Sequence, residues 1–529
     1  MGRKRHISKK EVVVMKTPRF TAADAALAYA AGVMGWYPWV LRGYLDLSPF
    51  KLGVFLAFTL LCVLAVSFLM EDTRPARPAP ATVWMLLWAA STAVSTAFSL
   101  SPASSLWNSE SYLGGLFLCV GCLSGYLLVQ SFLPTGAPSF LAKLLTLSGV
   151  GVGLLGVLNN FGVDPLGFSA AIEESQRNIF FSTIGNVDYL DSLLCLWIPL
   201  AVWAYLDAGQ LWGLAGSTAG FVCLAALDPG IASLGLAAAF AMLLWCCPLD
   251  GGRWSRLFVL GGLWLGAQLA VQRLQTVFPL RMVERPMEVL GSPLTALPGM
   301  AVCAALAVLL RRVKTSHLTV QRGLVLGLCA AAALLFLWRN HGGPSLGGFD
   351  NLFLLGPGWA TDRGAIFADC WALYRNGSLL RKLVGIGPGM LHRAMTAAGR
   401  GVPYPLEDAI GAHNEYLELL LCCGVAGLTV WLGVLASHLR GAFRHGASTG
   451  WALSLCAYAG QAFFNNRVAA VFPVAVLVLA VLRVCAREQA SPSDLLYRRC
   501  LVCALGGGAA ILCCVPAGVL LSRLLLFSV

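Results

Sequence analysis

A histidine, an asparagine and a glutamate stand together in GAHNEYLELL, residues 411–420, where a polar stretch gives way to a long apolar one. Asn414 suits the N-cap of a helix, and Glu415 suits the positive end of a helix dipole, so a helix start explains both. A helix start does not explain His413. Because imidazole can take a proton from a hydroxyl group near neutral pH, His413 is a candidate general base.

A second candidate group lies upstream, in the stretch TDRGAIFADCWALYRNGSLLRK at residues 361–382. Arg363 either forms a salt bridge with Asp362 within a helix or holds a diphosphate, because its guanidinium carries five donors in a fixed fork. The sequence GIGPG that follows is either a turn between helices or a phosphate-binding turn. In the second case, Gly387 and Gly389 let backbone N–H groups approach an anion.

A third polar group, Asn186, Asp188 and Asp191, opens the apolar stretch that begins FFSTIGNVDYLDSLL, close to Arg177 in the sequence. Such a cluster at the edge of a membrane span is either a snorkelling interface or a set of substrate contacts. The deeper position of Asp191 favours function. Arg177 and the three polar residues are therefore candidate substrate-binding groups, together with Asn414.

The elements that position these residues are membrane spans. The 529-residue chain is 58% hydrophobic and 12% charged, and its mean hydropathy is +0.75. Soluble proteins are about 45–50% apolar and about 25% charged, so this composition predicts an integral membrane protein in a lipid bilayer. Apolar windows of about 20 residues recur from Phe20 onward and predict an all-α polytopic bundle of about 12–15 spans. Their predicted centres are Val33, Phe58, Ala90, Cys122, Gly151, Leu196, Ala219, Ala238, Leu265, Ala305, Cys329, Leu428, Ala457, Ala475 and Ile511.

The distribution of Lys and Arg predicts the orientation of the chain in the cell membrane. Residues 1–19 are strongly basic and are expected in the cytoplasm, followed by a transmembrane block at 20–338. Residues 339–411 then form one large extracytoplasmic loop, and residues 412–529 form a closing transmembrane block. The net charge of +12 reflects this asymmetry, so we expect no nucleic-acid partner.

The predicted loop is expected to fold against the membrane face. Thr361 or Asp362 is the expected cap of an amphipathic helix suited to the membrane interface. Its apolar stripe consists of Ile366, Phe367, Cys370, Trp371 and Tyr374. The eighteen cysteines lie almost all in apolar spans, which argues against a disulfide framework and against zinc ligation.

The order of three motifs resembles the O-antigen ligase and polymerase family of membrane glycan ligases, which includes protein O-oligosaccharyltransferases. The motifs are STIGN opening a span, DRGAIFADCWALYRNGSLLRKLVGIGPGML, and AHNEYLELLLCCGVAGLTVWL. The resemblance covers chiefly residues 180–480. It implies transfer of a glycan from an undecaprenyl-diphosphate carrier to a glycan, lipid or protein acceptor on the outer face of the membrane, without a metal or cofactor. By this resemblance Arg363 holds the diphosphate and His413 activates the acceptor hydroxyl.

Two positions depart from the pattern of that family. Asp228, Pro229 and Gly230 stand where the family commonly carries Ser-Arg-Gly, and Asp188 stands where it usually has asparagine. A second diphosphate-binding arginine is therefore missing from its expected place, and Arg177, Arg281 or Arg285 is a candidate replacement.

Other functions are also consistent with the sequence. A polysaccharide polymerase of the same family differs only in its acceptor. A transporter or flippase for lipid-linked substrates places its charges near the middle of the bilayer, whereas here the polar residues gather at one face. A non-catalytic scaffold of an envelope polysaccharide machine is a further alternative. Asp46 stands alone in the first outer loop, which argues against metal-using glycosyltransferases with paired carboxylates there. A cation held by Glu407, Asp408 and His413 is a weaker alternative.

Overall fold

The computed structural model describes residues 20–44, 47–69, 79–107, 115–227, 230–281, 288–347, 350–398, 411–444, 446–487 and 494–527. These residues are helical almost throughout, with one two-stranded hairpin, which confirms the predicted all-α class. The predicted cytoplasmic N-terminus and residues 399–410 of the predicted loop lie outside the described residues. The orientation of the chain in the membrane and the domain boundaries stay predictions.

The first part of the chain runs up to a short hairpin. Its helices are α1 (Ala22–Ala31), α2 (Leu47–Leu69), α3 (Pro80–Ala97), α4 (Pro102–Trp107), α5 (Leu116–Phe132) and α6 (Ala137–Asn160). A π-helical turn (Gly32–Trp36) and a 3-10 turn (Tyr37–Trp39) extend α1, and two more 3-10 turns (Phe168–Ala171, Glu174–Gln176) precede the hairpin. Strand β1 (Phe180–Phe181) pairs antiparallel with β2 (Gly185–Asn186), with Phe180 opposite Asn186.

The remaining helices follow the hairpin. They are α7 (Val187–Ala208), α8 (Leu211–Leu227), α9 (Gly230–Cys246), α10 (Gly251–Gln275), α11 (Glu288–Gly291), α12 (Pro293–Leu310), α13 (Leu318–Asn340), α14 (Asp350–Phe353), α15 (Trp359–Asn376), α16 (Leu379–Val384), α17 (Leu391–Ala397), α18 (Glu415–Leu439), α19 (Gly446–Gln461), α20 (Phe472–Cys485) and α21 (Asp494–Phe527). A 3-10 turn (Ala442–Arg444) lies between α18 and α19.

Within the described residues, eight helices are long and apolar enough to cross a membrane: α2, α6, α7, α10, α12, α13, α18 and α21. Four shorter apolar helices, α5, α8, α9 and α20, pack among them. Each predicted span centre falls inside a helical segment. The architecture is that of a multi-pass membrane protein, and the number of spans beyond these eight stays a prediction.

Helix α7 lies at the centre of the bundle, and α13 lies at its periphery. Of the most apolar window of α7, 83% is buried inside the protein, against 6% for α13. Polar side chains on α7 are therefore surrounded by protein, where each needs a partner. The polar residues at the start of α7 are therefore expected to have partners within the protein, which residues of an exposed cluster would not need.

Glycines bring the last helix close to the first two. A Cβ atom at Gly53 of α2 would lie 2.6 Å from the carbonyl oxygen of Gly518 in α21, and Gly507 meets the carbonyl of Ala28 in α1 in the same way. Small residues allow such close approach between membrane helices. Asp24 adds an ion pair across this contact, at 2.9 Å from Arg499.

The starts of α7, α9 and α18 lie together at one end of the bundle. Asp191 in α7 accepts a hydrogen bond of 3.1 Å from the backbone N–H of Ala232 in α9. The N–H of Glu415, at the start of α18, donates to the carbonyl of Ala462 at 2.8 Å. Residues 462–471 are a non-helical connection between α19 and α20, and most of it is buried. We call this end, defined by Asp188, Glu415 and Ala462, the site end.

Candidate functional site

Arg363 is fixed at three of its nitrogen atoms. Its Nε donates to the carbonyl of Phe464 at 2.9 Å, its Nη1 to the carbonyl of Ala360 at 2.9 Å, and its Nη2 to Asp188 Oδ2 at 3.0 Å. The side chain is 11% exposed. Each Nη carries a second N–H that makes no hydrogen bond with the described residues. The guanidinium is therefore held in place, and two of its N–H groups have no partner among the described residues.

The chain approaches Arg363 through a left-handed turn. Ala360, Thr361 and Asp362 have φ angles of 52°, 59° and 63°, and no side-chain cap is formed at the N-cap, Gly358. Because the regular part of the helix continues only from Arg363, the expected cap at Thr361 or Asp362 stays a prediction. The left-handed turn directs the Ala360 carbonyl at the guanidinium, so the turn and the arginine hold each other.

The predicted apolar stripe of α15 is partly buried within the protein. Ile366 and Cys370 are buried, whereas Trp371 is 52% exposed. Burial raises the pKa of the Cys370 thiol far above its usual value, which keeps it protonated and unreactive. Contact of this helix with the membrane interface stays a prediction.

Asp188 stands in the first turn of α7, between the two predicted catalytic residues. Asn186 caps the helix by accepting the N–H of Asp188 at 2.8 Å, so its side chain is used in the fold. Asp188 Oδ2 lies 3.0 Å from Arg363 Nη2 and 4.0 Å from His413 Nδ1. The structure thus brings Asp188, Arg363 and His413 together.

His413 itself has a left-handed backbone, with φ of 48°. Its N–H donates to Asn466 Oδ1 at 2.7 Å, and Asn414 then caps α18, as predicted, by accepting the N–H groups of Tyr416 and Leu417 at 3.0 Å. The imidazole is 27% exposed. Its Nδ1 is buried and makes no hydrogen bond within the described residues.

The environment of His413 favours the neutral imidazole. Burial lowers the pKa of His413 below its usual value, and the positive charge of Arg363 lowers it further, while Asp188 opposes part of the shift. A neutral imidazole has one ring nitrogen free to accept a proton. The side chain is therefore in the protonation state that a general base needs at neutral pH.

The segment Phe464–Arg467 forms hydrogen bonds with Arg363, His413 and Asp188. It was not predicted from the sequence. The carbonyl of Phe464 accepts from Arg363, Asn466 accepts from His413, and the Asn465 side chain donates to the carbonyl of Asp188. The signal in the sequence is Asn-Asn-Arg between two apolar stretches, since polar and charged residues within membrane segments are rare and usually functional.

Arg467 forms a buried ion pair with Glu415. Two nitrogens of the guanidinium donate to Glu415 Oε1, at 3.0 and 2.6 Å, and Tyr458 donates to Glu415 Oε2 at 3.0 Å. The guanidinium lies 4.2 Å from the ring centre of Phe472 and 4.6 Å from that of Trp431. A cavity of about 50 Å³ lies beside this pair and is lined by Glu418 and the buried thiols of α18.

We predict that Arg467→Met strongly destabilises the protein. It would leave the Glu415 carboxylate, whose side chain is 2% exposed, without its cation, and breaking such a pair costs about 3–5 kcal/mol. The partly exposed pair of Arg253 and Asp207 provides the matched control, because Arg253→Met should cost only about 0–1 kcal/mol. Thermal unfolding in detergent measures both, since the many buried cysteines become reactive toward a fluorogenic thiol reagent as the fold opens. Equal unfolding temperatures for the two variants would contradict the assignment.

The GIGPG turn closes a break in α18. Gly424 interrupts that helix with φ of 69° and ψ of −175°. The N–H groups of Ile386 and Gly387 donate to the carbonyls of Leu421 and Cys422, both at 3.0 Å, so these amides are not available to a phosphate. Gly387 has φ of 104° and Gly389 has φ of 72°, and a side chain on Gly387 would collide with Ser99. The turn therefore contributes packing in this conformation.

Arg177 and Arg281 make their described hydrogen bonds with other parts of the chain. Arg177 Nε donates to the carbonyls of Ser169 and Ile172, within the connection before the hairpin. Arg281 donates its backbone N–H to the carbonyl of Asn160. Asp191 is bound to α9, as described above. Asp46, Asp228, Pro229, Arg285, Glu407 and Asp408 lie outside the described residues.

The described residues form no metal-ligand cluster, and the larger cavity is not lined by Arg363 or His413. Among the described residues, no group of three or more His, Cys, Asp or Glu side chains is arranged to hold a metal ion. A larger cavity of about 330 Å³ lies at the other end of α7 and is lined by residues such as Trp203, Asp207 and Trp451.

Comparison of the chain with protein-family models, with curated proteins and with solved structures finds no match.

Proposed function

We propose that this protein is a membrane glycosyltransferase of the O-antigen ligase type. It transfers a glycan from a polyprenyl-diphosphate carrier to an acceptor hydroxyl at the outer face of the membrane, without a metal ion. The observation that carries the proposal is the position of Asp188, whose Oδ2 lies 3.0 Å from Arg363 and 4.0 Å from His413. Three residues from distant parts of the sequence thereby meet. Arg363 supplies a fixed cation, His413 supplies a base, and the carboxylate of Asp188 lies between the two.

The reaction has one nucleophile and one leaving group. His413 accepts the proton of the acceptor hydroxyl as its oxygen attacks the anomeric carbon of the glycan. The bond from that carbon to the phosphate oxygen breaks, and its electron pair stays on the lipid diphosphate. The two remaining N–H groups of Arg363 stabilise the negative charge that develops there, an effect worth about 10²–10³-fold for one well-placed donor.

The charges of the three residues suit this step. Before transfer, Arg363 and Asp188 neutralise each other and His413 is neutral. After it, the imidazolium adds a positive charge beside Asp188 while the leaving diphosphate carries the negative charge. A carboxylate 4.0 Å from an imidazole makes no hydrogen bond with the neutral ring, but its charge stabilises the protonated form.

Backbone strain is concentrated at the same residues. Four of the five non-glycine residues with positive φ in the described part of the chain are His413 and the turn Ala360–Asp362. Each such conformation costs roughly 1–3 kcal/mol and persists where the surroundings impose it, often at functional sites. This clustering supports a functional role for Arg363 and His413.

We predict that transfer activity is lost as the pH falls through the pKa of His413. A base acts in its neutral form, so activity is full above that pKa, and the midpoint of the acid limb should lie below the usual value of about 6.5. Asp188→Asn removes the charge that raises this pKa, so the midpoint should move to still lower pH. The measurement is kcat/KM for transfer against pH; a midpoint above 6.5, or an upward shift in the variant, would contradict the assignment.

Transport is the competing function, and the break in α18 favours it. Interrupted helices in transporters leave carbonyl groups free to coordinate ions. Here the carbonyls of Leu421 and Cys422 accept hydrogen bonds from Ile386 and Gly387, and Cys422 also accepts one from Ser95. Because these groups are occupied, the break offers no ion site in this conformation, and we prefer the enzyme.

The proposal is tested in cells that lack the protein. Mass analysis of lipid-linked glycans should show polyprenyl-diphosphate glycan accumulating, and the wild-type gene should remove it. Long chains on the carrier would indicate a ligase, whereas single repeats would indicate the polymerase alternative. An unchanged pool of carrier-linked glycan would count against glycan transfer, and carrier-linked glycan confined to the cytoplasmic leaflet would indicate a flippase.

A further inference from the structure

The segment Phe464–Arg467 contacts each main residue of the candidate site. Its four consecutive residues contact four different positions: Phe464 contacts Arg363, Asn465 contacts Asp188, Asn466 contacts His413, and Arg467 contacts Glu415. These partners belong to α15, α7 and the start of α18. A short non-helical stretch of chain therefore links the starts of α7 and α18 with α15.

Asn466 contacts the backbone of His413, the residue that carries the imidazole. The N–H of His413 can only donate, so the amide oxygen of Asn466 must be the atom that faces it, at 2.7 Å. Gly411 allows this approach, because a Cβ atom there would lie 2.5 Å from Asn466 Oδ1. Asn466 is itself held by Asn465, whose Oδ1 accepts its N–H at 2.8 Å.

The hydrogen bond opposes the strain in the backbone of His413. A left-handed conformation costs a non-glycine residue roughly 1–2 kcal/mol, and a hydrogen bond of this kind contributes about 0.5–1.5 kcal/mol. These magnitudes are similar, so the bond offsets much of the cost of this conformation. A change in the backbone of His413 would change the position of its ring relative to Asp188.

We propose that Asn466 is the positioning residue for His413: its amide oxygen holds the left-handed backbone that directs the imidazole toward Asp188. The inference rests on the proposed function, because it gives this geometry a catalytic purpose. Asn466 touches no substrate in this account and acts through His413 alone.

The test compares Asn466→Leu, which removes the acceptor, with Asn466→Asp, which keeps it. Misplacing a catalytic group by about 1 Å costs about 100-fold, so Asn466→Leu should lower kcat by that order with little change in KM for the lipid donor. Asn466→Asp should restore most of kcat at a pH above the acid limb. Asn376→Leu, at an exposed asparagine that ends α15, is the matched control and should behave as wild type.

A second measurement does not depend on glycan transfer. Diethyl pyrocarbonate acylates neutral imidazoles, and mass spectrometry gives its rate at His413 relative to the exposed His341 in the same molecule. The ratio should change severalfold in Asn466→Leu and stay near the wild-type value in Asn466→Asp. If the leucine variant is not recovered folded, Asn466→Ala takes its place.

The outcomes separate this inference from the proposed function. Wild-type kcat together with an unchanged acylation ratio in Asn466→Leu would overturn the positioning role, and so would an aspartate variant as defective as the leucine variant. If substitution of His413 leaves transfer intact, the proposed function fails, and the acylation ratio still decides whether Asn466 positions the ring.

Discussion

Replacing His413 by glycine is expected to lower the rate of glycan transfer by about 10²–10⁴-fold, the range typical of a lost general base. Glycine is the sharpest substitution here because the backbone of His413 has φ of 48°, which glycine adopts without strain. The N–H that donates to Asn466 is also kept. The variant therefore removes the imidazole and leaves the surrounding backbone in place.

Two controls accompany this variant. Added imidazole should restore part of the activity of His413→Gly, because the space left by the ring is partly open to solvent. His341→Gly, at an exposed histidine outside the site, should transfer glycan at the wild-type rate. Transfer by His413→Gly within about twofold of wild type, with the fold intact, would remove His413 from the mechanism.

Replacing Arg363 by lysine is expected to cost about 10²-fold or more in transfer, although the charge is kept. The guanidinium binds the carbonyls of Phe464 and Ala360 and the carboxylate of Asp188 in three directions. A lysine ammonium is a single point on a flexible stem and cannot make these contacts while also facing a diphosphate. The loss should appear in kcat/KM for the lipid-diphosphate donor.

Arg375→Lys is the matched control for this second prediction, because Arg375 lies exposed near the end of the same helix. It should leave transfer unchanged. If Arg363→Lys is as active as wild type, then charge alone is enough and the fixed geometry described here has no catalytic importance. Arg363→Met then distinguishes a need for charge from no role at all.

The fold class could be predicted from composition and from the length of the apolar windows, because the bilayer fixes how many apolar residues a span needs. The cap at Asn414 could be predicted from residue type for a similarly local reason. The left-handed turn before Arg363 could not, since Ala360, Thr361 and Asp362 have no local preference for that conformation over a helix start. It exists because the carbonyls of Ala360 and Phe464 both bind the arginine.

The site could be predicted only in part, because residue types along the chain do not show which distant elements pack together. Asp188 was singled out as a polar residue at the start of a span, but its position between Arg363 and His413 depends on the packing of α7 against elements far away in the sequence. Asn466 and Arg467 were missed because they belong to a short polar stretch between two spans, where a solvated loop is the default reading. Their burial is visible only in three dimensions.

The most direct test of the account is transfer by the purified protein in liposomes. The donor is a polyprenyl-diphosphate oligosaccharide, a metal chelator is present, and the product is glycan on a hydroxyl acceptor together with free polyprenyl diphosphate. The account predicts that the wild-type protein forms both products in equal amounts and that His413→Gly and Arg363→Lys form neither at a comparable rate. Equal product from all three proteins, or no product from the wild type with any hydroxyl acceptor, would contradict it.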